Sequence, residues 1–339
     1  MSTTRRSSGC LFVTTLILLG LSVLLNLALL GSKTASAKIS GSRMLADRVP
    51  EFDEETLVGP AGSATDKIVQ IAMRGIISSS VDGALGETMV DDLKMAMRQA
   101  ADDKNIKAIV LYVDSPGGEV TASDMIYDAV KKAREKKPVV VYMGSLAASG
   151  GYYVACGGSW LMANETTITG SIGVIIQTLN YQQLLGKIGL DTVVFKSGQF
   201  KDILSGSRPM TEEEKSYIQN MVMQTYGKFV GIVAAERKMP EDELRSGIAD
   251  GRIISGKDAL GFKLINQLGQ VEDAYDKARE LGGAPGAAVV RYKAGFDLRR
   301  MFRFFGKAET SKIEVNVAER LMPPLESGKL YLLPSFYAP

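Results

Sequence analysis

The chain alternates short apolar segments with amphipathic ones, and this order constrains its fold more than any other feature. Residues 68–77, 106–113 and 138–143 have the composition of buried strands, whereas residues 87–101 and 121–136 repeat apolar positions with a helical period. Neighbouring parallel strands must be joined by a crossover, which is usually a helix. The sequence therefore predicts an α/β fold with a largely parallel sheet and flanking helices.

The same pattern continues to about residue 282. A helix is predicted to begin near Ser149, and Thr211 and Glu214 have the spacing of a capping box that opens a long helix. The further predicted strands are residues 160–163, 172–177 and 192–196, and the further predicted helices are residues 211–238, 240–248, 255–261 and 270–282. We place the folded domain at residues 67–290.

An apolar segment near the start predicts a membrane anchor. Residues 10–30 carry no charge and would span about 30 Å as a helix. Arg5 and Arg6 precede this segment, so the positive-inside rule leaves residues 1–9 in the cytoplasm. The predicted location is a single pass through the cytoplasmic membrane with the folded domain on the far side.

Two other regions flank the domain, and the anchor itself has an alternative. Residues 35–37 resemble a signal peptidase cleavage site, but the length of the apolar segment favours an uncleaved anchor. Residues 31–66 are rich in small and charged residues and are predicted to be a linker. Residues 291–339 are treated as a C-terminal extension whose tail, from Lys329, is expected to run extended over the body or a neighbouring subunit.

The absence of histidine restricts the chemistry. With no imidazole in the chain, Ser-His-Asp and Cys-His catalysis are excluded, and the commonest metal ligand is missing. The 40 basic and 38 acidic residues are spread along the chain, so no nucleic-acid partner is expected. Cys10 and Cys156 form no disulfide framework, and Cys156 is expected to be buried and inert. We expect no cofactor and no metal.

Two glycine-rich turns each follow a predicted buried strand. Residues 114–118 (DSPGG) could direct backbone N–H groups into a cleft and hold a developing oxyanion, or could simply close a strand-to-helix turn. Residues 144–151 (GSLAASGG) place small residues around Ser149, which would let a substrate backbone approach it; the alternative is a packing turn. Two such turns after strands of one sheet predict a shared cleft.

A serine nucleophile needs a base, and without histidine the candidates are Lys, Asp or Glu. Lys196 and Lys201 lie in one predicted loop, and the spacing alone does not choose between them. A lysine acts as a base only when it is neutral, which burial or a neighbouring cation favours. Ser171, within residues 169–173 (TGSIG), supplies a further hydroxyl that could orient a lysine amine or merely close a turn.

Four motifs in this order resemble the short form of bacterial signal peptide peptidase, the SppA family. They are residues 114–118, 148–153, 169–173 and 197–202, and they follow one amino-terminal anchor. The resemblance covers about residues 65–285 and implies a fold like that of Clp protease and crotonase.

The resemblance also implies roles for individual residues. Ser149 would be the nucleophile, Lys201 rather than Lys196 the general base, and Ser171 the hydroxyl that positions the lysine amine. The oxyanion donors would be Gly150 and the turn formed by Gly117 and Gly118. Family members degrade signal peptides left in the membrane, and the short form assembles as a homo-oligomeric ring whose sites combine Ser and Lys from neighbouring subunits.

Three alternatives remain open from the sequence. A Ser/Lys membrane protease of the type that partners stomatin-like proteins usually has further spans, and no second apolar run of sufficient length occurs after Leu30. A crotonase-type acyl-CoA enzyme would need a cytoplasmic location and catalytic carboxylates. An inactive scaffold of the same fold would not react with a serine-directed probe.

Overall fold

The computed structural model describes residues 19, 20, 22, 52–59, 65–81, 85, 87–294 and 331–332. Residues 51–339 form one compact unit, distinct from residues 1–50. Leu19, Gly20 and Ser22 are helical; the rest of the predicted anchor and the predicted cytoplasmic terminus lie outside the described residues. Among the described residues, no helix combines the length and apolar character that crossing a bilayer requires.

Strands and helices alternate through most of the described chain. The strands are β1 (Phe52–Val58), β2 (Lys67–Arg74), β3 (Ile106–Ser115), β4 (Gly118–Glu119), β5 (Val139–Ala148), β6 (Trp160–Ala163), β7 (Ile168–Gly170), β8 (Ile253–Ser255), β9 (Gln267–Leu268), β10 (Ala288–Ala294) and β11 (Tyr331–Leu332). The helices are α1 (Met89–Asp102), α2 (Val120–Arg134), α3 (Gly150–Ala155), α4 (Gln182–Lys187), α5 (Glu212–Arg237), α6 (Glu241–Ser246), α7 (Gly256–Gly261) and α8 (Val271–Leu281).

One large sheet forms the centre of the fold. Within the described residues it contains nine strands, seven of them in the order β1-β10-β2-β3-β5-β6-β9, with β7 beside the end of β5 and β8 beside β7. All neighbours pair in parallel except β1 with β10 and β7 with β8. The prediction of a largely parallel sheet with flanking helices is confirmed.

The sheet is buried on both faces, which explains why its central strands are apolar throughout. Along β3, Ile109 and Leu111 face a core shared with α1, α2, α3 and α5. Ala108 and Val110 face the opposite core, in which Ala274 of α8 packs. Alternate residues of a strand point to opposite faces, so a strand covered on both sides has no polar face.

The domain boundaries differ from the predicted ones. β1 lies inside the segment predicted as a linker (31–66), and its antiparallel partner β10 continues beyond residue 290. Only Phe52 of β1 is fully buried, and three acidic residues follow it. An edge strand of this kind carries a weak apolar pattern because one side faces solvent. β11, residues 331–332 of the predicted C-terminal extension, pairs with β4; the rest of the tail lies outside the described residues.

Two predicted strands are wrong. Residues 172–177 and 192–196 are not strands, and both lie in or beside an exposed region, residues 174–211, which we call the arm. The arm contains α4, none of whose residues is buried. An apolar run becomes a strand only where a neighbouring strand accepts its hydrogen bonds, and no described strand lies beside the arm.

Candidate active site

Ser149 occupies a strained position at the junction of β5 and α3. Its backbone has φ 54° and ψ −114°, a conformation that residues with a side chain rarely adopt. The Ser149 N–H donates to the carbonyl of Gly170 at 2.8 Å, and its carbonyl accepts the Tyr153 N–H at 2.8 Å. The hydroxyl is fully buried and has no hydrogen-bond partner. A strained turn that presents an unpaired buried hydroxyl is typical of a nucleophile.

Three glycines lie in contact beside this serine. Gly117 has φ 103°, and a Cβ placed on it would lie 2.6 Å from the Gly150 nitrogen. A Cβ on Gly150 would lie 3.1 Å from the Gly118 nitrogen. The Gly117 N–H already donates to the Ser115 hydroxyl at 3.1 Å. The structure therefore brings the two predicted turns together, with the backbone of Gly150 in contact with that of Gly117 and Gly118.

Ser171 is also brought to this region. β7 pairs in parallel with the end of β5, with Ala148 opposite Gly170, so Ser171 lies one residue beyond the carbonyl that binds Ser149. Ser171 has φ 52° and is 3 % exposed. Its N–H donates to the Arg252 carbonyl at 2.7 Å, which fixes the strained turn in place.

Residues 331–332 occupy the strand edge beside the glycines. Tyr331 and Leu332 pair antiparallel with Glu119 and Gly118. Leu332 is fully buried and joins the main core. The site therefore accommodates an extended backbone next to Gly118 and an apolar side chain within it.

Lys201 lies elsewhere, in the arm. Its loop is attached to the first turns of α5: the Gln199 amide donates to Glu213 at 2.8 Å, and the Phe200 and Tyr217 rings are 5.4 Å apart. The Lys201 side chain is exposed and forms no hydrogen bond or ion pair with any described residue. The structure does not bring Lys201 to Ser149 within one chain.

The length of α5 explains this separation. Phe229, on the second half of the helix, packs on Tyr153 of α3 with ring centroids 5.0 Å apart, and Tyr153 is one helical turn from Ser149. Phe229 and Tyr217 are twelve residues apart, which corresponds to about 18 Å along the helix axis. The lysine loop is thus attached far from the serine that begins α3.

The structure distinguishes the two candidate lysines. The Lys196 amine donates to Asp202 at 2.7 Å and to the Gln199 carbonyl at 3.1 Å. The Lys196 amine is thus already engaged by a carboxylate and a carbonyl of its own loop. Lys201, which has no such partner, is the better candidate for a base.

Cys156 is not a candidate nucleophile. It is 1 % exposed, and burial raises the pKa of its thiol to about 12.

In a Cys10→Ser variant we expect no reaction of the folded chain with Ellman's reagent at about pH 8, because only the thiolate reacts. After unfolding, one equivalent of the coloured thiol product should be released per chain. Rapid labelling of the folded protein would contradict this prediction.

The fold and the serine site define a class of protein. The family model for Clp protease matches residues 63–177, which contain the glycine turn and Ser149. The chain therefore has a Clp protease-like α/β fold. The model for peptidase family S49 matches residues 131–284, which contain Ser149, Ser171 and Lys201.

Relatives agree with these matches. A candidate protease of Synechocystis sp. is 40% identical over 221 residues, which are 65% of this chain and 76% of the relative. A candidate signal peptide peptidase SppA of Enterococcus faecium is 36% identical over 247 residues, 72% of this chain and 71% of the relative. A candidate protease of Methanocaldococcus jannaschii is 40% identical over 60% of this chain and 63% of its own length. The chain belongs to peptidase family S49 and is a serine peptidase.

Proposed function

We propose that the chain is a membrane-anchored Ser/Lys peptidase that cleaves apolar peptides such as signal peptide remnants, with Ser149 as nucleophile and Lys201 as base. The observation that carries the proposal is the Ser149 hydroxyl, which is buried and unpaired at a strained turn beside Gly118 and Gly150. A hydroxyl left without a partner in a protein core costs free energy, so a function accounts best for its retention.

The reaction would proceed through an acyl-enzyme. The neutral amine of Lys201 takes the proton of Ser149 as the Ser149 oxygen attacks the peptide carbonyl. The N–H groups of Gly118 and Gly150 stabilise the oxyanion, and the proton passes to the leaving amine as the C–N bond breaks. Water then attacks the ester and releases the second product. Ser171, which directly follows the Gly170 carbonyl that binds the Ser149 N–H, would orient the incoming amine.

The lysine would come from a neighbouring copy of the chain. The attachment of its loop to the first turns of α5 supports this assignment, because Phe229, which packs near Ser149, lies about 18 Å further along the helix axis. The arm also exposes large apolar side chains: Phe195 is 95%, Val193 75% and Leu179 71% exposed. Apolar groups displayed together are typical of an interface. Burial of the amine against the neighbour would favour its neutral form.

The strand edge of β4, where Leu332 is buried, supports apolar peptides as substrates, and we call this edge the groove. Leu332 is fully buried beside Gly118, and its backbone pairs with β4 as an added strand. A substrate would take the same place, with its backbone hydrogen-bonded to β4 and an apolar residue before the cleaved bond. The apolar segment at residues 10–30 after Arg5 and Arg6 supports an anchor in the cytoplasmic membrane with the peptidase domain outside.

Mixed oligomers test the shared site. We expect full-length Ser149→Ala and Lys201→Ala chains, each inactive alone, to recover activity on an apolar peptide when they are dissociated and reassembled together. In a ring with one serine–lysine contact between each pair of neighbours, equal mixing restores about one quarter of the sites. Cleavage of a fluorogenic signal-peptide sequence after reassembly measures the recovery.

Two outcomes would contradict the proposal. If the mixture stays inactive although size-exclusion chromatography shows co-assembly, the two residues do not meet across subunits. If the parent chain neither cleaves the peptide nor reacts with a fluorophosphonate probe at Ser149, the chain acts as a scaffold. Mixing each variant only with itself is the control for incomplete inactivation.

A further inference from the structure

We infer that Arg208 is a positioning residue that holds the Lys201 loop in the geometry needed for catalysis. The inference rests on the proposed function, since it concerns the base of that reaction. Arg208 forms no hydrogen bond with Lys201 or Ser149, and it acts on Lys201 through the next residue, Asp202.

The Arg208 guanidinium joins two carboxylates. Its Nε and Nη2 donate to Asp202 at 2.8 and 2.7 Å, and its Nη1 and Nη2 donate to Glu214. Paired contacts of this kind fix both distance and orientation, which a single point charge does not. The residue that follows Lys201 is therefore tied to the first turn of α5.

The helical end of this link is rigid. Glu214 is 1% exposed and completes the capping box of α5: its carboxylate accepts the Thr211 N–H at 2.8 Å, and the Thr211 hydroxyl accepts the Glu214 N–H at 3.2 Å. Arg208 also lowers the pKa of Glu214 to about 2. The stability that this link contributes is therefore fully present above about pH 4.5, the ordinary pKa of a glutamate, and is lost as the pH falls towards 2.

Lys201 lies between two attachments. On one side, Gln199 and Phe200 contact Glu213 and Tyr217 of α5; on the other, Asp202 is held by Arg208 and by Lys196. Without Arg208 the link from Asp202 to α5 is lost, because the remaining partner of Asp202, Lys196, belongs to the same loop. The backbone on either side of Lys201 would then be anchored at one end only.

Arg208→Gln is expected to lower kcat by about 10- to 100-fold with little change in KM, because a misplaced base slows the reaction but leaves the groove intact. Arg208→Lys should be intermediate, since a lysine keeps the charge without the paired contacts. Steady-state cleavage of an apolar peptide by the full-length assembly measures both.

Two mixtures distinguish a misplaced Lys201 loop from a general loss of folding or assembly in Arg208→Gln. An Arg208→Gln chain keeps a normal Ser149, so reassembly with Ser149→Ala chains, whose Lys201 loop is intact, should restore about one quarter of the parent activity. Reassembly with Lys201→Ala chains should restore nothing beyond the activity of Arg208→Gln itself. Equal recovery in both mixtures, recovery in neither, or a parent-like kcat for Arg208→Gln alone would overturn the inference.

A matched control lies at the other end of α5. Arg134 donates to Glu236 at 2.7 and 3.1 Å, and its side chain is 24% exposed, compared with 27% for Arg208. Arg134→Gln should lower Tm comparably and leave kcat within about twofold, because the Lys201 loop is untouched. If Arg208→Gln does not assemble, Asp202→Asn breaks the same link in the same two mixtures. Failure of the Ser149→Ala with Lys201→Ala mixture would instead reject the proposed function.

Discussion

Lys201→Ala is expected to lower kcat by about 10³-fold or more while leaving the fold unchanged. Removal of the base leaves the Ser149 hydroxyl protonated, and a protonated serine is a poor nucleophile. The fold should be unaffected because the Lys201 side chain is exposed and forms no hydrogen bond or ion pair with any described residue. Single-turnover cleavage and thermal unfolding of the same preparation measure the two properties.

Lys196→Ala is the informative counterpart. It removes a lysine from the same loop, but one that is already bound to Asp202, so we expect a loss of less than about tenfold through looser packing of the loop. If Lys196→Ala were the inactive variant and Lys201→Ala the active one, the assignment of the base would be reversed.

Gly118→Ala is expected to reduce kcat/KM by about 10²- to 10³-fold, the loss typical of a missing oxyanion donor. A Cβ at this position would lie 1.9 Å from the Ile77 carbonyl oxygen, and a backbone atom cannot move aside as a flexible side chain can. β4 would have to shift, which carries the Gly118 N–H away from Gly150. Peptide cleavage and fluorophosphonate labelling of Ser149 should both slow.

The control for this substitution is Gly186→Ala in α4. Gly186 has no atom within 4 Å of an added Cβ, so the change should leave cleavage unaltered and favour the helix slightly. A Gly118→Ala chain that retained parent activity would show that the N–H of Gly118 is not a donor in the reaction.

The parts of the fold that local pattern determines were predictable. Buried strands such as β3 are apolar on both faces, and the capping box at Thr211 marks the start of α5 without reference to the rest of the chain. The wrong strands at residues 172–177 and 192–196 have the composition of strands but no partner among the described residues. β1 has the converse property: its composition is not typical of a strand, but it has a partner. That partner, β10, lies more than 230 residues away in the sequence, so local pattern could not predict the pairing.

The candidate site likewise has a part that local pattern predicts and a part that depends on tertiary contacts. Ser149 and the glycines follow strands that pair side by side, so a parallel sheet is enough to bring them together. The choice between Lys196 and Lys201 depends on Asp202 and Arg208, whose contacts no spacing rule describes. The contacts of Arg208 with Asp202 and Glu214 could not be predicted, because their only sequence signal is one arginine shortly before a capping box.

The attachment of the Lys201 loop to the first turns of α5, away from Ser149, has a consequence for when activity can arise. If each site needs two chains, a newly made polypeptide has no peptidase activity until it meets another copy. At low concentration the rate of cleavage then rises more steeply than in proportion to the amount of enzyme. Dilution would then silence the peptidase without any inhibitor. If the proposed substrates are apolar segments, this dependence would keep the peptidase from cleaving other membrane proteins until enough copies have gathered in one place.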